Sequence, residues 1–302
     1  ELFHAWNVKR LRPADMVPYR YDDAQPTPWL WVSEGVTDYY ADVSLSRSAI
    51  IDSTGFDAAL ANDIAAVRSV VPVALGDASL SAWIGDVDGT GGIYYPKGAT
   101  AGFLLDIMIR DASDNRHSLD DVMHALYDET YKTTWRGFTA ADWWGAVSRF
   151  AGGRSFADFD RRYITGREPM PIDSVLALAG WRVVTDTVRE PRIGISTASG
   201  DRCTRVTDVT PGGAASTAGV RVGDCIVSVG EVPVPTTGSW TAVRARYTGS
   251  SLTRLDLSVR RDGQMTTLSM PLRLVPRAIV RLDMLPNASE KALRIRTGIL
   301  HG

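Results

Sequence analysis

Up to about residue 180, apolar residues recur at spacings of three and four, which is the period of an amphipathic helix. We find no strictly alternating strand pattern within this part of the chain. The pattern predicts a mostly helical region, with helices at residues 1–10, 33–46, 56–71, 98–112, 118–130, 139–150, 155–164 and 172–179. Ser33 is the expected N-cap of the second helix, because serine is favoured at helix starts.

The pattern changes near Trp181, where Val, Ile and Thr become frequent and Gly and Pro separate short apolar runs. Such runs are typical of β-strands. They predict strands at residues 181–187, 192–196, 203–209, 225–230, 254–261 and 265–272, and short helices at residues 213–219 and 239–247. We therefore divide the chain into a helical part, residues 1–180, a strand-rich part, residues 181–275, and a tail, residues 276–302. The tail has an amphipathic piece near residues 289–296, and both packing against a domain and disorder remain open for it.

Composition is that of an ordinary soluble protein: 302 residues, 44% of them apolar and 23% charged, with a formal net charge of −2. This length suggests about two domains. Nucleic acid is not an expected partner, because no basic stripe accompanies the balanced charge. A membrane span is not expected either, because no apolar run approaches the roughly 20 residues that a bilayer requires. The compartment stays open between the cytoplasm and the periplasm of a bacterium.

The two cysteines, Cys203 and Cys225, are too few for a disulfide framework. We interpret them as small buried residues, which is a common role of free cysteine. Pairing in an oxidising compartment is the alternative.

The first residues of the chain contain candidate chemistry. Glu1 is followed three residues later by His4, as in the last four positions of His-Glu-x-x-His, a pattern that presents two zinc ligands on one helix face. Glu34 is a candidate for a further ligand, since a catalytic zinc uses three protein ligands and leaves one position open to water. The alternatives are a histidine on an aromatic helix face and a solvated carboxylate at a helix start.

Two segments carry a family resemblance: residues 1–13, Glu-Leu-Phe-His-Ala-Trp-Asn-Val-Lys-Arg-Leu-Arg-Pro, and residues 30–40, Leu-Trp-Val-Ser-Glu-Gly-Val-Thr-Asp-Tyr-Tyr. They resemble the glycyl aminopeptidase family of zinc metallopeptidases, which belongs to the thermolysin-like superfamily called gluzincins. The resemblance implies a multidomain α and β protein: the mostly helical C-terminal lobe of a thermolysin-like catalytic domain, followed by a PDZ-like β-barrel domain. It covers most of the chain but not the family's N-terminal half, so we expect a chain truncated within the metal motif.

The resemblance also implies an activity, the zinc-dependent removal of small N-terminal residues, glycine or alanine, from peptide substrates. In that scheme Glu1 is the general base, and His4 and Glu34 are metal ligands. Asp38 would orient a ligand histidine. It loses that role if this histidine is the one missing before Glu1, and an exposed helix carboxylate is the alternative. With two protein ligands, we expect this chain to bind zinc weakly or not at all and to have little activity.

Tyr95 stands just before a Lys-Gly pair, Lys97-Gly98. It resembles the tyrosine of gluzincin aminopeptidases whose hydroxyl donates to the oxyanion of the tetrahedral intermediate. Tyr94 and simple core packing are the alternatives. The preceding loop, residues 86–92, is only loosely similar to a calcium loop and lacks its later glutamate, so we expect a plain glycine turn.

In the strand-rich part, residues 211–229 resemble a PDZ pattern of small-residue helix, Gly-Asp turn and strand. By this resemblance Arg192, Ile193, Gly194 and Ile195 are the carboxylate-binding loop and groove strand, where a peptide ligand would add to a sheet edge. Arg192 departs from the family's hydrophobic loop, which leaves carboxylate selectivity open. An empty, structural PDZ domain is an equal alternative. For the whole chain, the alternatives to a peptidase are a PDZ scaffold with a non-functional metal site and an inactive paralogue.

Overall fold

The computed structural model describes residues 1–85, 90–199, 203–234 and 239–302, so most of the loop at residues 86–92 lies outside the described residues. The chain forms two compact units. The first contains residues 1–184 and 280–302, and the second contains residues 185–279. None of the described helices is both long enough and apolar enough to cross a membrane.

The first unit is helical, as predicted. Its helices up to residue 180 are α1 (Val36–Arg47), α2 (Ser53–Ser69), α3 (Leu75–Ser81), α4 (Tyr94–Ala112), α5 (Leu119–Leu126), α6 (Ala140–Phe150), α7 (Ala157–Phe159) and α8 (Ile172–Ala177). Three π-helical turns adjoin them, at Trp31–Gly35, Tyr127–Lys132 and Asp160–Ile164. Helix α3 was not predicted, because its seven residues give too few apolar repeats to define a period.

Helix α4 is the centre of this unit, and every residue from Lys97 to Arg110 is buried. Burial on all sides is expected for a helix that other helices surround. The helix begins at Tyr94, four residues before the predicted start at residue 98. Gly98 near its start crosses Gly35 so closely that a Cβ on Gly98 would lie 2.5 Å from the Trp31 carbonyl oxygen.

Two local predictions near the start of the chain are wrong. Residues 1–10 do not form one helix but a 3-10 turn, Leu2–Ala5, followed by further turns. The backbone N–H groups of this segment donate to carbonyls three, four or five residues back, whereas an α-helix needs a regular spacing of four. Ser33 is not an N-cap, since the helical turn begins before it, at Trp31, and Ser33 is buried.

Strand β1 (Trp181–Pro191) begins in the first unit and ends in the second. The second unit also contains β2 (Ile195–Ser199), β3 (Thr204–Val209), β4 (Cys225–Val229), β5 (Val232–Pro233), β6 (Arg254–Arg261) and β7 (Gln264–Pro271), with helices α9 (Ala214–Thr217) and α10 (Ser239–Tyr247). Its antiparallel sheet has the strand order β2-β3-β4-β6-β7, and β5 also pairs with β4. A helical part followed by a sheet-rich, PDZ-like part confirms the predicted fold class.

A disulfide joins Cys203 and Cys225, so the interpretation of the two cysteines as free, buried residues is wrong. The two side chains are buried. Strand β3 begins just after Cys203, and β4 begins at Cys225. Spacing along the sequence could not reveal this, because the pair is brought together only when β3 and β4 align.

The tail is ordered. A further strand, β8 (Leu274–Met284), pairs with β1, and helix α11 (Glu290–His301) follows. Ile295 and Ile299 of α11 are fully buried in the core of the first unit, and Ser46 at the end of α1 donates to the Leu300 carbonyl at 3.2 Å. The end of the chain therefore completes the first unit.

We predict that Gly98→Ala destabilises the first unit by about 1–3 kcal/mol or more, because the added methyl group has no room beside the Trp31 backbone. Urea denaturation followed by tryptophan fluorescence measures this loss.

Gly145→Ala is the matched control, since Gly145 also lies inside a helix but has no atom within 4 Å of the added Cβ. There the change should stabilise the helix by roughly 0.5–1 kcal/mol. Equal effects of the two substitutions would show that the close crossing does not restrict residue 98.

Candidate functional site

His4 is held by its own segment of backbone. Its Nδ1 lies 2.7 Å from the Asn7 carbonyl oxygen. A carbonyl can only accept, so Nδ1 carries a proton and donates, and in the neutral imidazole Nε2 is then the atom with a lone pair. This Nε2 atom lies 3.5 Å from Oε2 of Glu34. The structure therefore brings together two of the residues proposed from the sequence as metal ligands.

Asn7 ties the turn that carries His4 to the turn that carries Glu34. Its side chain is fully buried and donates to the Val32 carbonyl at 2.8 Å and to the Thr37 hydroxyl at 3.1 Å. Its own carbonyl is the one that orients His4. Sequence reasoning missed this residue. A buried asparagine that joins two turns has no local pattern that could have identified it.

Tyr95 joins the same cluster. Its hydroxyl interacts with Glu34 and with the Tyr94 side chain, whose ring centroid lies 4.7 Å from that of Tyr95. Burial and the negative charge of Glu34 raise the pKa of Tyr95 far above its usual range. Tyr95 is therefore a protonated donor at any physiological pH. Tyr94, the alternative candidate, lies beside Tyr95, and burial raises its pKa as well.

Glu1 and Asp38 are close to this cluster but make fewer contacts. Both are exposed, and within the described residues neither carboxylate has a hydrogen bond or ion pair. Desolvation and the nearby Glu34 raise the pKa of Asp38, while the amino terminus and His4 lower it. Asp38 thus acts on the cluster through its charge. No contact shows Asp38 orienting His4, whose Nδ1 is held by a backbone carbonyl instead.

A line of carboxylates leads away from Asp38. Burial, and to a smaller extent the negative charge of Asp38, raises the pKa of Asp42 to about 6. Burial raises the pKa of Asp63 on α2 to about 7, and the negative charges of Asp42 and Asp38 contribute less. Asp38 and Asp42 share a helix face at a spacing of four, which could have suggested mutual repulsion from the sequence. Asp63 could not have been found in that way, because it comes from another helix.

The cluster can offer a cation two good donors, the His4 imidazole and the Glu34 carboxylate. Within the residues that the structure describes, no group of three or more His, Cys, Asp or Glu side chains could hold a metal ion. The donor pair fits zinc in chemical type, since zinc takes histidine nitrogen and carboxylate oxygen. It is one ligand short of the usual catalytic set.

The other predicted site lies in the second unit. Arg192, Ile193, Gly194 and Ile195 line a groove of about 440 Å³, with α10 on the other side. In the described part of the sheet β2 forms one edge, next to this groove. Gly194 has a positive φ of 80°. The Arg192 N–H already donates to the Arg273 carbonyl at 2.8 Å, whereas no backbone partner among the described residues accepts from Ile193 or Gly194.

The fold is a helical unit followed by a PDZ-like sheet unit. Residues 1–100 match the family model of the M61 glycyl aminopeptidase, and residues 191–272 match that of the PDZ domain. Residues 1–100 are therefore similar to glycyl aminopeptidases, as the first forty residues indicate, and residues 191–272 are a PDZ domain.

A solved structure shares this fold. An aminopeptidase N family protein from Idiomarina loihiensis matches with a TM-score of 0.63 at 23% sequence identity, over 97% of this chain and 52% of that chain. The HtrA3 PDZ domain bound to a phage-derived ligand matches at 20% identity over 31% of this chain and 92% of that chain, but its TM-score of 0.25 is too low to support an argument. No curated protein matches the chain. The chain thus spans about half the length of the Idiomarina protein, 52%.

We predict that Asp63→Asn stabilises the first unit at pH 8 but not at pH 4. The folded-state pKa of about 7 lies above the ordinary value of 3.8, so the stability that Asp63 contributes is present below the ordinary value and is lost as the pH rises through about 7. Asparagine mimics the protonated carboxyl and avoids that loss. Partial exposure reduces the expected gain to about 1 kcal/mol, measured by urea denaturation across this pH range.

Asp22→Asn, which changes an exposed loop carboxylate, is the control and should shift stability little at either pH. A gain for Asp63→Asn that is the same at both pH values would contradict a protonation effect.

Proposed function

We propose that the first unit contributes to the active site of a zinc-dependent aminopeptidase that releases small N-terminal residues, glycine or alanine, from peptides. The observation that best supports this proposal is the meeting of His4 Nε2 and Glu34 Oε2 at 3.5 Å, with the other imidazole nitrogen oriented by a carbonyl. An oriented second nitrogen is typical of metal-binding histidine, because the donated hydrogen bond fixes the tautomer.

In this proposal His4 and Glu34 hold the metal. When bound, zinc would lower the pKa of a water to about 7 and polarise the substrate carbonyl. Two protein donors are fewer than the three that usually hold a catalytic zinc, so we expect this pair by itself to bind zinc weakly.

The remaining roles belong to side chains that can move or donate a proton. Tyr95 would donate to the oxygen of the scissile carbonyl as negative charge develops there, and its raised pKa keeps the donor proton in place. Glu1 would accept a proton and pass it to the leaving amine, as an exposed carboxylate without a partner among the described residues is able to do. Asp38 would add negative charge near the metal ligands.

We predict that two variants separate binding from catalysis when release of glycine or alanine is assayed with added zinc. Glu34→Gln should lower both zinc affinity and turnover, since it removes a charged ligand. Tyr95→Phe should leave zinc affinity unchanged and lower kcat by about 100-fold, the usual effect of losing one oxyanion donor. Tyr94→Phe is the matched control, with little effect on kcat.

Zinc content per chain, measured by atomic absorption after dialysis, and NMR of the four histidine rings report metal binding independently of activity. In a zinc titration the His4 signal should shift before those of His117, His124 and His301. Turnover that persists in a chelator, or a titration in which His4 shifts last, would refute the proposed metal site.

A second candidate function is peptide binding at the PDZ groove. It is favoured by the unpartnered N–H groups of Ile193 and Gly194, beside a sheet edge at which an extended peptide could pair. Successive N–H groups next to a residue with positive φ form a concavity that suits an anion such as a terminal carboxylate. The exposed Arg192 and Arg244 side chains give this groove positive charge, whereas the Glu190 charge is matched by Arg277 at 3.1 Å.

We predict that a peptide with a free C-terminus and an acidic residue upstream binds about tenfold more tightly than its C-terminal amide, equivalent to about 1.4 kcal/mol. Arg244→Ala should weaken binding of the acidic peptide more than that of its glutamine analogue. Fluorescence anisotropy measures these affinities.

Arg260→Ala, an exposed arginine on β6 away from the groove, is the control and should change neither affinity. Equal affinity for acid and amide would refute carboxylate recognition, and loss of peptide binding in Glu1→Gln would place binding elsewhere.

A further inference from the structure

Lys97 is a buried cation on the central helix. Its side chain is only 5% exposed, and Nζ donates to the Val73 carbonyl. An ammonium group has three donors, so one carbonyl does not satisfy it. Within the described residues, no carboxylate forms an ion pair with it. A buried charge without a counter-charge is costly, and lysine is rarely buried in this way.

The position of Lys97 on its helix increases that cost. It lies in the fourth position of α4, whose first turn contains no acidic residue. The amino end of a helix carries partial positive charge and disfavours a nearby cation. Burial lowers the pKa of Lys97, which is a further sign that its charge is poorly compensated.

A cavity of about 370 Å³ opens beside Lys97, between the end of α2 and residues 167–173. The other charges in its wall are already matched. Arg68 pairs with Asp173 at 3.0 Å, Arg167 with Asp77 at 2.9 Å, and Glu168 with Arg162 at 2.7 Å. Lys97 therefore leaves one unmatched positive charge in the wall of the cavity.

The rest of the wall is largely aliphatic, and includes Val67, Val70, Val73, Met170 and Ile172. A cavity of this size is within the range of small-molecule sites, which combine an apolar lining with a few polar groups that fix the ligand's orientation. The one unmatched cation favours a ligand with a single negative charge, and the aliphatic wall favours a ligand with a short apolar body.

We propose that this cavity binds a small aliphatic monocarboxylate, with its carboxylate on Lys97 Nζ and its hydrocarbon part against the valines and Met170. The ligand carboxylate would supply the counter-charge for Lys97. It would also accept hydrogen bonds from the Nζ protons that do not bond to the Val73 carbonyl. The site uses none of the side chains assigned to the proposed peptidase chemistry, so either assignment can fail without the other.

The test is a titration with isobutyrate, followed by NMR of the chain labelled with carbon-13 at its methionine methyl groups. Met170 lies in the cavity wall and is one of seven methionines, and the variant Met170→Leu identifies its signal. We expect a saturable shift of that signal, with binding at least tenfold weaker in Lys97→Met. That variant keeps the length of the side chain and removes its charge. Lys132→Met, at an exposed lysine paired with Asp128, is the control and should bind as the wild type does.

Isobutyramide, the neutral analogue, tests the charge in the unaltered protein and so does not depend on how Lys97→Met folds. It should produce no saturable shift. The proposal is overturned by a wild type without a saturable Met170 shift, by equal affinity for isobutyrate and isobutyramide, or by unchanged affinity in a folded Lys97→Met. Displacement of isobutyrate by equimolar inorganic phosphate would show a phosphate-type site instead, and would overturn the assignment to a monocarboxylate.

Discussion

The close crossing of α4 with the turn Trp31–Gly35 is the constraint on which the first unit depends. A Cβ on Gly35 would lie 2.5 Å from Cα of Gly98 and 2.6 Å from the Tyr94 carbonyl oxygen, so the two backbones meet with no side chain between them. Because Glu34 precedes Gly35 and Tyr95 precedes Gly98 by three residues, this contact brings the carboxylate and the phenol together. The geometry of the candidate site therefore follows from backbone packing between two glycines.

Buried polar contacts hold this arrangement in register. Asp106, on the same central helix, is 2% exposed and accepts hydrogen bonds from the Tyr39 hydroxyl at 2.8 Å, the Leu119 N–H at 2.8 Å and Arg110 Nε at 3.1 Å. These bonds join α4 to α1 and to the start of α5. A buried ion pair stabilises a fold only when its remaining lone pairs are also satisfied, and here they are. At the site, the side-chain N–H groups of Asn7 also join two turns.

The fold could be predicted from the sequence wherever a local period carried the signal. Helices such as α2 and α6, and strands such as β6 and β7, lie close to their predicted positions because their side-chain periodicity reflects their burial. The strand β8 was missed, and Pro276 and Arg277 interrupt its apolar residues near its start. The alignment of β3 with β4 that pairs the cysteines, and the burial of α11 in the first unit, both depend on contacts far apart in sequence, for which a single chain gives no local sign.

The candidate site, too, could be predicted only where the signal is local in sequence. His4 and Glu34 could be proposed because their neighbours in sequence form a recognisable motif, and Tyr95 because a Lys-Gly pair follows it. Asn7 and Asp63 could not, since their importance comes from tertiary neighbours. Burial raises the pKa of Asp63 most, and the charges of Asp42 and Asp38, which lie on another helix, raise it further. This effect depends on how α1 and α2 pack, so the sequence motif around His4 and Glu34 contains no sign of it.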